Sequence, residues 1–410
     1  MKTLFDDKQI LLGVTGSIAS YKTAELASRL SQLRTKVDVV LTQAAQQFIT
    51  PLTLQSVAGS KAYTDSDLWG DEGHVLHINL AKKADMLVVA PATANTIAKL
   101  AYGLADNLLT ITVLAAGCPI IIAPAMDGRM YSHPATQVNL ETLRQRGVKV
   151  VGPAEGHLAS GIVGKGRMLE PLEILGHIRQ ELSRGGPLKD RKIIVTAGGT
   201  QEAIDPVRYI TNRSSGKQGY ALAQAALDLG AQVTLISAQT CMKPPIGADC
   251  INVRSALEMH DAVSAEILDA DALVMAAAVA DFAPTQPTNE KIKKEHGVPV
   301  IKLTPTVDIL QMIADSKSST SIPFVTVGFA AESSGLLENA QRKLREKKLD
   351  MIVANDITQP DAGFEVDTNR VTIIHADGQL EEFQLMSKDQ VAQIVMERVT
   401  KFILERNDNR

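Results

Sequence analysis

Cysteine is scarce in this 410-residue chain. Cys118, Cys241 and Cys250 form neither a CxxC pair nor a Cys/His cluster at metal-ligand spacing. That argues against a disulfide scaffold and points to a reducing compartment, with the cytoplasm as the expected location. An excess of one charge is also missing: 42 Lys and Arg stand against 46 Asp and Glu, a formal net charge of -4. Neither nucleic-acid nor membrane-surface binding is expected from that balance, and the expected partners are small molecules and copies of the chain itself. The opening MKTLFDDKQI is acidic and runs straight into a strand, without the basic and apolar regions of a signal peptide. One long uncharged run exists, LLTITVLAAGCPIIIAPAM at residues 108 to 126. Gly117, Pro119 and Pro124 divide it into a buried helix end and an Ile-rich strand, so no membrane span is expected.

What is present is ordinary globular composition, 45% hydrophobic and 21% charged, at a length that calls for two or three domains. In the first half, the strands QILLGV, VDVVLT, ADMLVVAP and CPIIIAP alternate with helical stretches, the first from about Ile18 to Leu33. This is the rhythm of a doubly wound α/β domain. A polar Gly-Pro segment, SRGGPLKDR, reads as a linker, and KIIVTAGG restarts the rhythm. AQVTLIS, ALVMAAAV, FVTVGFAAE, DMIVAND and VTIIHA add strands, and a terminal helix closes the chain. Two α/β domains are expected, over residues 1–185 and 186–410, the second Rossmann-like.

Several loops carry candidate chemistry. GVTGSIASYK follows a strand and opens a helix, so Gly16 and Ser17 stand where backbone N-H groups can hold a phosphate; a plain connecting turn is the alternative. Thr93 and Asn95 in APATANTIAKLAYGLADNLL lie at a strand's carboxyl end, the ligand position of open α/β sheets, although small residues there also permit close helix packing. His77 in HVLHINLAKKAD suits proton transfer near neutral pH, with His74 as competitor and a structural role as the alternative. Asp127, in APAMDGRMYSHPATQ, is a good helix cap as well as a candidate site carboxylate. GHLASGIVGKGRM, with Ser160, is a glycine-rich loop that reads either as a flap or as a surface connection.

In the second half, TAGGTQEAIDPVRYITNRSSGKQGYALA lacks the GxxxxGK[ST] of a P-loop, yet its SSGKQG turn opens a helix and suits an anion. Asn212 lies just before it, either a turn former or a donor to an acyl oxygen. Asp281 ends a strand and is followed by Lys291, Lys293 and Lys294, while Lys343 and Lys347 share one helical face. Such lysines form a solvated surface or receive a triphosphate.

Taken in order, the first-half motifs resemble the flavin-dependent cysteine decarboxylases. With DPVRYITNRSSGKQGYALA, AAAVADF, EKIKK, VGFAAE and the lysine helix ending in IVAND, essentially the whole chain resembles the bifunctional phosphopantothenoylcysteine decarboxylase/phosphopantothenate-cysteine ligases of coenzyme A biosynthesis. The resemblance implies a flavodoxin-like first domain that binds FMN, with Gly16 and Ser17 near its phosphate, Thr93 and Asn95 in a second flavin loop, and His77 as active-site histidine. It implies a second domain that joins 4'-phosphopantothenate to L-cysteine through an acyl-cytidylate, using CTP and Mg2+ with unassigned metal ligands. There Asn212 would hold the acyl-cytidylate, and Lys291, Lys343 and Lys347 the phosphates. Asp281, Asp308 and Phe329 would lie at the nucleotide. Homo-oligomers are implied too, decarboxylase trimers and ligase dimers, with the flavin site between subunits. Two positions depart from the family pattern: Asp127 replaces an asparagine, and Ser160 replaces the cysteine that donates a proton in the reductive half-step. They leave a second reading open, a flavin-binding regulatory or assembly protein with impaired decarboxylation.

Overall fold

A computed structural model of the chain describes residues 3–69, 73–293, 295, 298–319, 324–332, 335–356 and 366–408. It divides into two units, Met1–Leu182 and Ser183–Arg410.

The first unit is built on six parallel strands, β1 (Gln9–Val14), β2 (Lys36–Leu41), β3 (Ala62–Tyr63), β4 (Met86–Ala92), β5 (Ile120–Pro124) and β6 (Lys149–Val150). They lie in the order β3-β2-β1-β4-β5-β6. Strand side chains alternate between faces, and the sequence uses both. Ile10, Leu12, Val39, Leu41, Met86 and Val88 pack beneath helices α1 (Ser20–Gln32), α2 (Pro51–Ala58) and α8 (Pro171–Leu182). Their neighbours Leu11, Val40, Leu87, Val89 and Ile122 pack beneath α3 (Gly73–Lys83), α4 (Ala94–Tyr102), α5 (Leu108–Ala115) and α7 (Pro134–Gln145). A sheet buried on both faces explains the continuous apolar runs of its strands. The uncharged run at 108–126 becomes α5 and β5, and among the described residues no helix is long and apolar enough to cross a membrane.

Two local expectations change. The glycine-rich segment read as a loop is an antiparallel hairpin, β7 (Ala154–His157) with β8 (Val163–Arg167). Its pairing is made by backbone groups, which a side-chain pattern does not report. The segment read as a linker is not free chain from Leu188 onward. Leu188 is fully buried in the core of the second unit, and its N-H donates to the Leu229 carbonyl at 2.9 Å.

The second unit carries β9 (Lys192–Ala197), then a hairpin of β10 (Gln201–Ala203) and β11 (Tyr209–Thr211). The main sheet adds β12 (Gln232–Ser237), β13 (Ala248–Asn252), β14 (Ala272–Met275), β17 (Val325–Glu332), β18 (Met351–Asp356), β20 (Val371–His375) and β21 (Leu380–Glu382). Its order is β13-β12-β9-β14-β17-β18-β20-β21, parallel as far as β18 and antiparallel beyond. Two small pairs complete it, β15 (Phe282–Pro284) with β16 (Leu303–Pro305) and β19 (Thr368–Asn369) with β22 (Met386–Ser387). Helices α9 (Lys217–Asp228) and α13 (Lys388–Asp408) cover one face. On the other lie α10 (Ala256–Glu266), α11 (Ile309–Ser319) and α12 (Leu336–Glu346).

The antiparallel edge is fastened by a charged cluster. Glu381 accepts from Arg398 at 3.0 and 2.8 Å and contacts His375 Nε2 at 2.7 Å. Arg398 foremost, then His375, outweigh partial burial and hold the Glu381 carboxyl down at about 2. A carboxylate whose folded value is depressed stabilises the fold above its unfolded value, and that contribution is lost as pH falls through the window toward the folded one. Glu381→Gln is therefore expected to destabilise the second unit by about 1–3 kcal/mol at pH 7. In urea titrations the difference from wild type should shrink below the ordinary glutamate value of 4.5 and vanish toward pH 2; a pH-independent difference would exclude the charge as its cause.

Candidate functional site

The strand order of the first unit reverses between β1 and β4, and ligands of open α/β sheets bind where it does so, beyond the carboxyl ends of the strands. A cavity of about 850 Å³ opens at that place, within the size range of pockets that enclose organic ligands. Gly16 and Ser17 line it after β1, Thr93 and Asn95 after β4, Asp127 after β5, and Ser160 on the hairpin. Six sequence candidates are thus gathered from four loops.

Local hydrogen bonds shape the floor. Thr15, buried, donates from Oγ1 to the Pro91 carbonyl at 2.7 Å and accepts from the Thr93 N-H at 3.1 Å. This sews the loops after β1 and β4 together. Thr93 caps α4 by accepting from the Thr96 N-H at 3.3 Å, which leaves Asn95 exposed in the first turn beside the cavity. A Cβ on Gly16 would lie 2.6 Å from Ala44 Cβ, so only glycine lets the chain pass there into α1. A backbone cradle at a helix N-terminus is a site for an anionic group.

Sequence reasoning missed Lys22 here. Its buried Nζ donates to the Met168 carbonyl at 3.0 Å and to Glu170 Oε1 at 2.9 Å, which ties α1 to the chain leaving the hairpin. Lys22 is also the first cause holding the Glu170 carboxyl below its usual range.

Asp127 takes the cap position expected of it, at the short helix α6 (Gly128–Ser132), with Oδ1 accepting from the Arg129 N-H at 2.9 Å. Oδ2 accepts from Ser160 Oγ at 2.6 Å. The two residues set apart in the sequence, Asp127 and Ser160, are therefore in direct contact. His77 is not brought to the cavity. It sits half-buried on α3, and its Nδ1 is buried without a hydrogen-bond partner among the described residues. The side chain of His74 lies outside the described residues.

In the second unit the candidates are spread over loops, strand β17 and helix α12, and polar contacts join some of these segments. Asn212, exposed, donates from Nδ2 to the Val279 carbonyl at 2.9 Å. Thr306 donates to the carbonyls of Ala280 and Asp281, at 2.6 and 3.0 Å. Asp308 caps α11 through the Gln311 N-H and accepts from Lys347 Nζ at 2.6 Å. Phe329 is half-buried in β17 against the core, and Lys343 is exposed on α12. Lys291 and Lys293 are exposed, whereas Lys294 lies outside the described residues.

Between those two lysines, Ile292 is gripped on both sides of its backbone. Its N-H donates to Asp205 Oδ2 at 3.2 Å, and its carbonyl accepts from the Arg208 guanidinium at 2.5 Å. Asp205 is buried and also accepts the N-H groups of Val207 and Arg208, both at 2.8 Å. Burial pushes its carboxyl up, but these N-H groups and the Arg208 charge outweigh it and hold it below the usual range. Asp-Pro at 205 and 206 was readable as a turn signal; the grip on a lysine segment 87 positions away was not.

Among the described residues no group of three or more His, Cys, Asp or Glu side chains stands ready to hold a metal. A Mg2+ carried in on substrate phosphates needs no such cage.

The family described as Flavoprotein matches residues 2–183, and the family described as DNA/pantothenate metabolism flavoprotein C-terminal domain matches residues 188–403. The chain is 44% identical over 401 residues to the Coenzyme A biosynthesis bifunctional protein CoaBC of Bacillus subtilis (strain 168), with 97% of each chain covered. It is 46% identical over 375 residues to the protein of that name from Vibrio vulnificus (strain CMCP6), covering 91% of this chain and 92% of that one. With the one from Mycobacterium tuberculosis (strain ATCC 25618 / H37Rv) the identity is 42% over 408 residues, covering 97% of each. Matched from end to end across both units, the chain belongs to the family of bifunctional coenzyme A biosynthesis flavoproteins.

Proposed function

We propose that this chain carries out two successive steps toward coenzyme A. The second unit joins 4'-phosphopantothenate to L-cysteine. CTP converts the carboxylate to an acyl-cytidylate with release of pyrophosphate, and the cysteine amine displaces CMP to form the amide. The first unit then removes CO2 from the cysteinyl carboxylate to leave 4'-phosphopantetheine. The observation that carries the decarboxylase half is the single cavity onto which Gly16, Ser17, Asn95, Asp127 and Ser160 converge.

The residues present fit FMN. The Gly16–Ser17 turn at the head of α1 places the Ser17 hydroxyl toward its phosphate at the positive end of the helix, and Thr93 and Asn95 border the space beside it. When bound, FMN supplies two-electron chemistry, taking electrons from the substrate thiol so that loss of CO2 does not strand a carbanion, and later returning them. The hairpin carrying Ser160 screens the bound substrate from water. His77, absent from the cavity of its own chain, acts at the flavin site of a neighbouring copy in a homo-oligomer, trimeric for the decarboxylase and dimeric for the ligase.

In the ligase half, Asn212 holds the acyl-cytidylate and Lys291, Lys343 and Lys347 neutralise the phosphates. Asp281, Asp308 and Phe329 border the nucleotide, and Mg2+ arrives with CTP. Charge stabilisation of the transferring phosphoryl group is the principal contribution. The three unpaired cysteines agree with a reducing, cytoplasmic setting.

Incubating the purified protein with 4'-phosphopantothenate, L-cysteine, CTP and Mg2+ is expected to release pyrophosphate and CO2, with ATP in place of CTP as the test of nucleotide choice. Absence of pyrophosphate would remove the ligase assignment. Pyrophosphate without CO2 would remove the decarboxylase, and a flavin-coloured protein yielding neither would favour the regulatory reading.

A further inference from the structure

The hairpin that walls the cavity is fastened in two different ways at its two ends. At its base the fastening is backbone: the Met126 N-H donates to the Gly166 carbonyl at 3.0 Å, and a Cβ on Gly128 would lie 3.3 Å from the Lys165 carbonyl oxygen. At its tip the turn is closed on itself by the bonds from Leu158 N-H to the Ile162 carbonyl and from Gly161 N-H to the Leu158 carbonyl, each 2.9 Å. Apolar burial holds this tip only at half-buried Leu158, whose Cδ1 lies 3.6 Å from where a Cβ on Gly128 would be, since Ile162 and Val163 are 50% and 59% exposed. The side-chain hydrogen bond from the tip to the body of the unit is that of the Ser160 hydroxyl, donated to Asp127 Oδ2 at 2.6 Å across 33 positions of sequence.

The chemistry of the two partners makes them suit each other. A hydroxyl donated to a carboxylate is charge-assisted and short, about twice as strong as a bond between neutral groups. The carboxylate has a donor on each oxygen, Ser160 on one and the Arg129 N-H on the other. These two bonds, the Ser160 one first, keep the Asp127 carboxyl below its usual range, so it is charged at neutral pH. Asp127 thus stands at the cavity wall as a hydrogen-bonded carboxylate that keeps its negative charge. Removing either partner leaves the other worse off than before: a carboxylate without its donor, or a tip without its tether.

We infer that Asp127 is a positioning residue that acts through Ser160: their hydrogen bond tethers the hairpin tip across the cavity and fixes the Ser160 hydroxyl at its wall, so the two positions function as a matched pair. The catalytic consequence rests on the decarboxylase reading above; the tether itself does not.

The test is a double-mutant cycle on the holoenzyme with Ser160→Ala, Asp127→Asn and the combination, with Ser160→Thr as the conservative variant. Asparagine is itself a good helix cap, so Asp127→Asn preserves the acceptor for the Arg129 N-H while weakening the bond to Ser160. Amide hydrogen exchange over residues 157–163 is read by mass spectrometry beside kcat and KM for CO2 release. Each single variant is expected to speed exchange at the tip about 3- to 10-fold. The combination should add nothing beyond either, Ser160→Thr should stay within about twofold of wild type, and the Met126 amide at the base should keep its protection. Loss of kcat should follow the tip exchange with KM little changed. Unchanged tip exchange in Ser160→Ala, or fully additive effects, would overturn the pairing. A protein that releases no CO2 in any form would instead overturn the decarboxylase reading, and the exchange data would still decide the tether.

Discussion

Gly166→Ala is expected to loosen the cavity wall and release flavin, although it adds a single methyl group. A Cβ at this position would lie 2.3 Å from the Met126 carbonyl oxygen and 3.3 Å from both Asp127 C and Gly128 N. All three are backbone atoms, so no side chain can swing aside; β8 must withdraw from the chain that follows β5. Withdrawal breaks the bond from Met126 N-H to the Gly166 carbonyl and moves Asp127 away from the tip that carries Ser160. Overpacking of this kind costs about 1–3 kcal/mol, or about 5- to 150-fold in an equilibrium constant. Flavin affinity, from the fluorescence of released flavin on dilution, should fall in that range, with a lower urea midpoint for the first unit. Gly117→Ala is the control, because nothing lies within 4 Å of its Cβ position, and an effect under about 0.5 kcal/mol is expected. Equal behaviour of the two variants would mean that the hairpin base is not rigidly seated.

Asp205→Asn is expected to disable the ligase without touching the decarboxylase. The carboxylate accepts from three backbone N-H groups and pairs with the Arg208 guanidinium at 3.0 Å. An amide keeps one acceptor oxygen and turns an NH2 toward groups that are themselves donors. Ile292 then loses its hold, and with it the placement of Lys291 and Lys293. Misplacing a catalytic group by about 1 Å costs on the order of 10²-fold in rate. Pyrophosphate release should fall by about that factor, and trypsin should cleave after Lys291 and Lys293 faster. CO2 release from preformed phosphopantothenoylcysteine should remain at its wild-type rate. A variant with unaltered pyrophosphate release would show that the Asp205–Arg208 grip does not position the lysines.

Both predictions turn on contacts that no local pattern announces. The strands were legible because burial on both faces demands apolar residues at successive positions, as in Leu11 and Leu12 or Leu87 and Val88. The cap role of Asp127 was legible because capping is decided within three residues. Gly16 and Ser17, which line the cavity, were legible as a strand-to-helix turn because a strand, a glycine and a helix start are contiguous there. The hairpin at 154–167 was not, since its glycines carry no side-chain signal and its order comes from backbone pairing. Nor was the place of Leu188, which an adjacent Gly-Pro pair made look like free linker while its own side chain fills a core.

By itself the sequence determined two doubly wound α/β units, the loops that carry polar candidates, and the family to which the chain is similar. The units and loops follow from short-range rules of periodicity, capping and turn chemistry, each satisfied within a few residues, and the likeness rests on the ordered motifs. Only the tertiary structure decided which candidates share a site. It drew Ser160 onto Asp127, clamped Ile292 between Asp205 and Arg208, closed Lys22 beneath the chain leaving the hairpin, and kept His77 away from the cavity of its own chain. The physical reason is that hydrogen bonds and charge pairs act over about 3 Å of space and are indifferent to separation along the chain. Two residues that looked like independent departures from a family pattern are, in the folded chain, the two halves of one hydrogen bond.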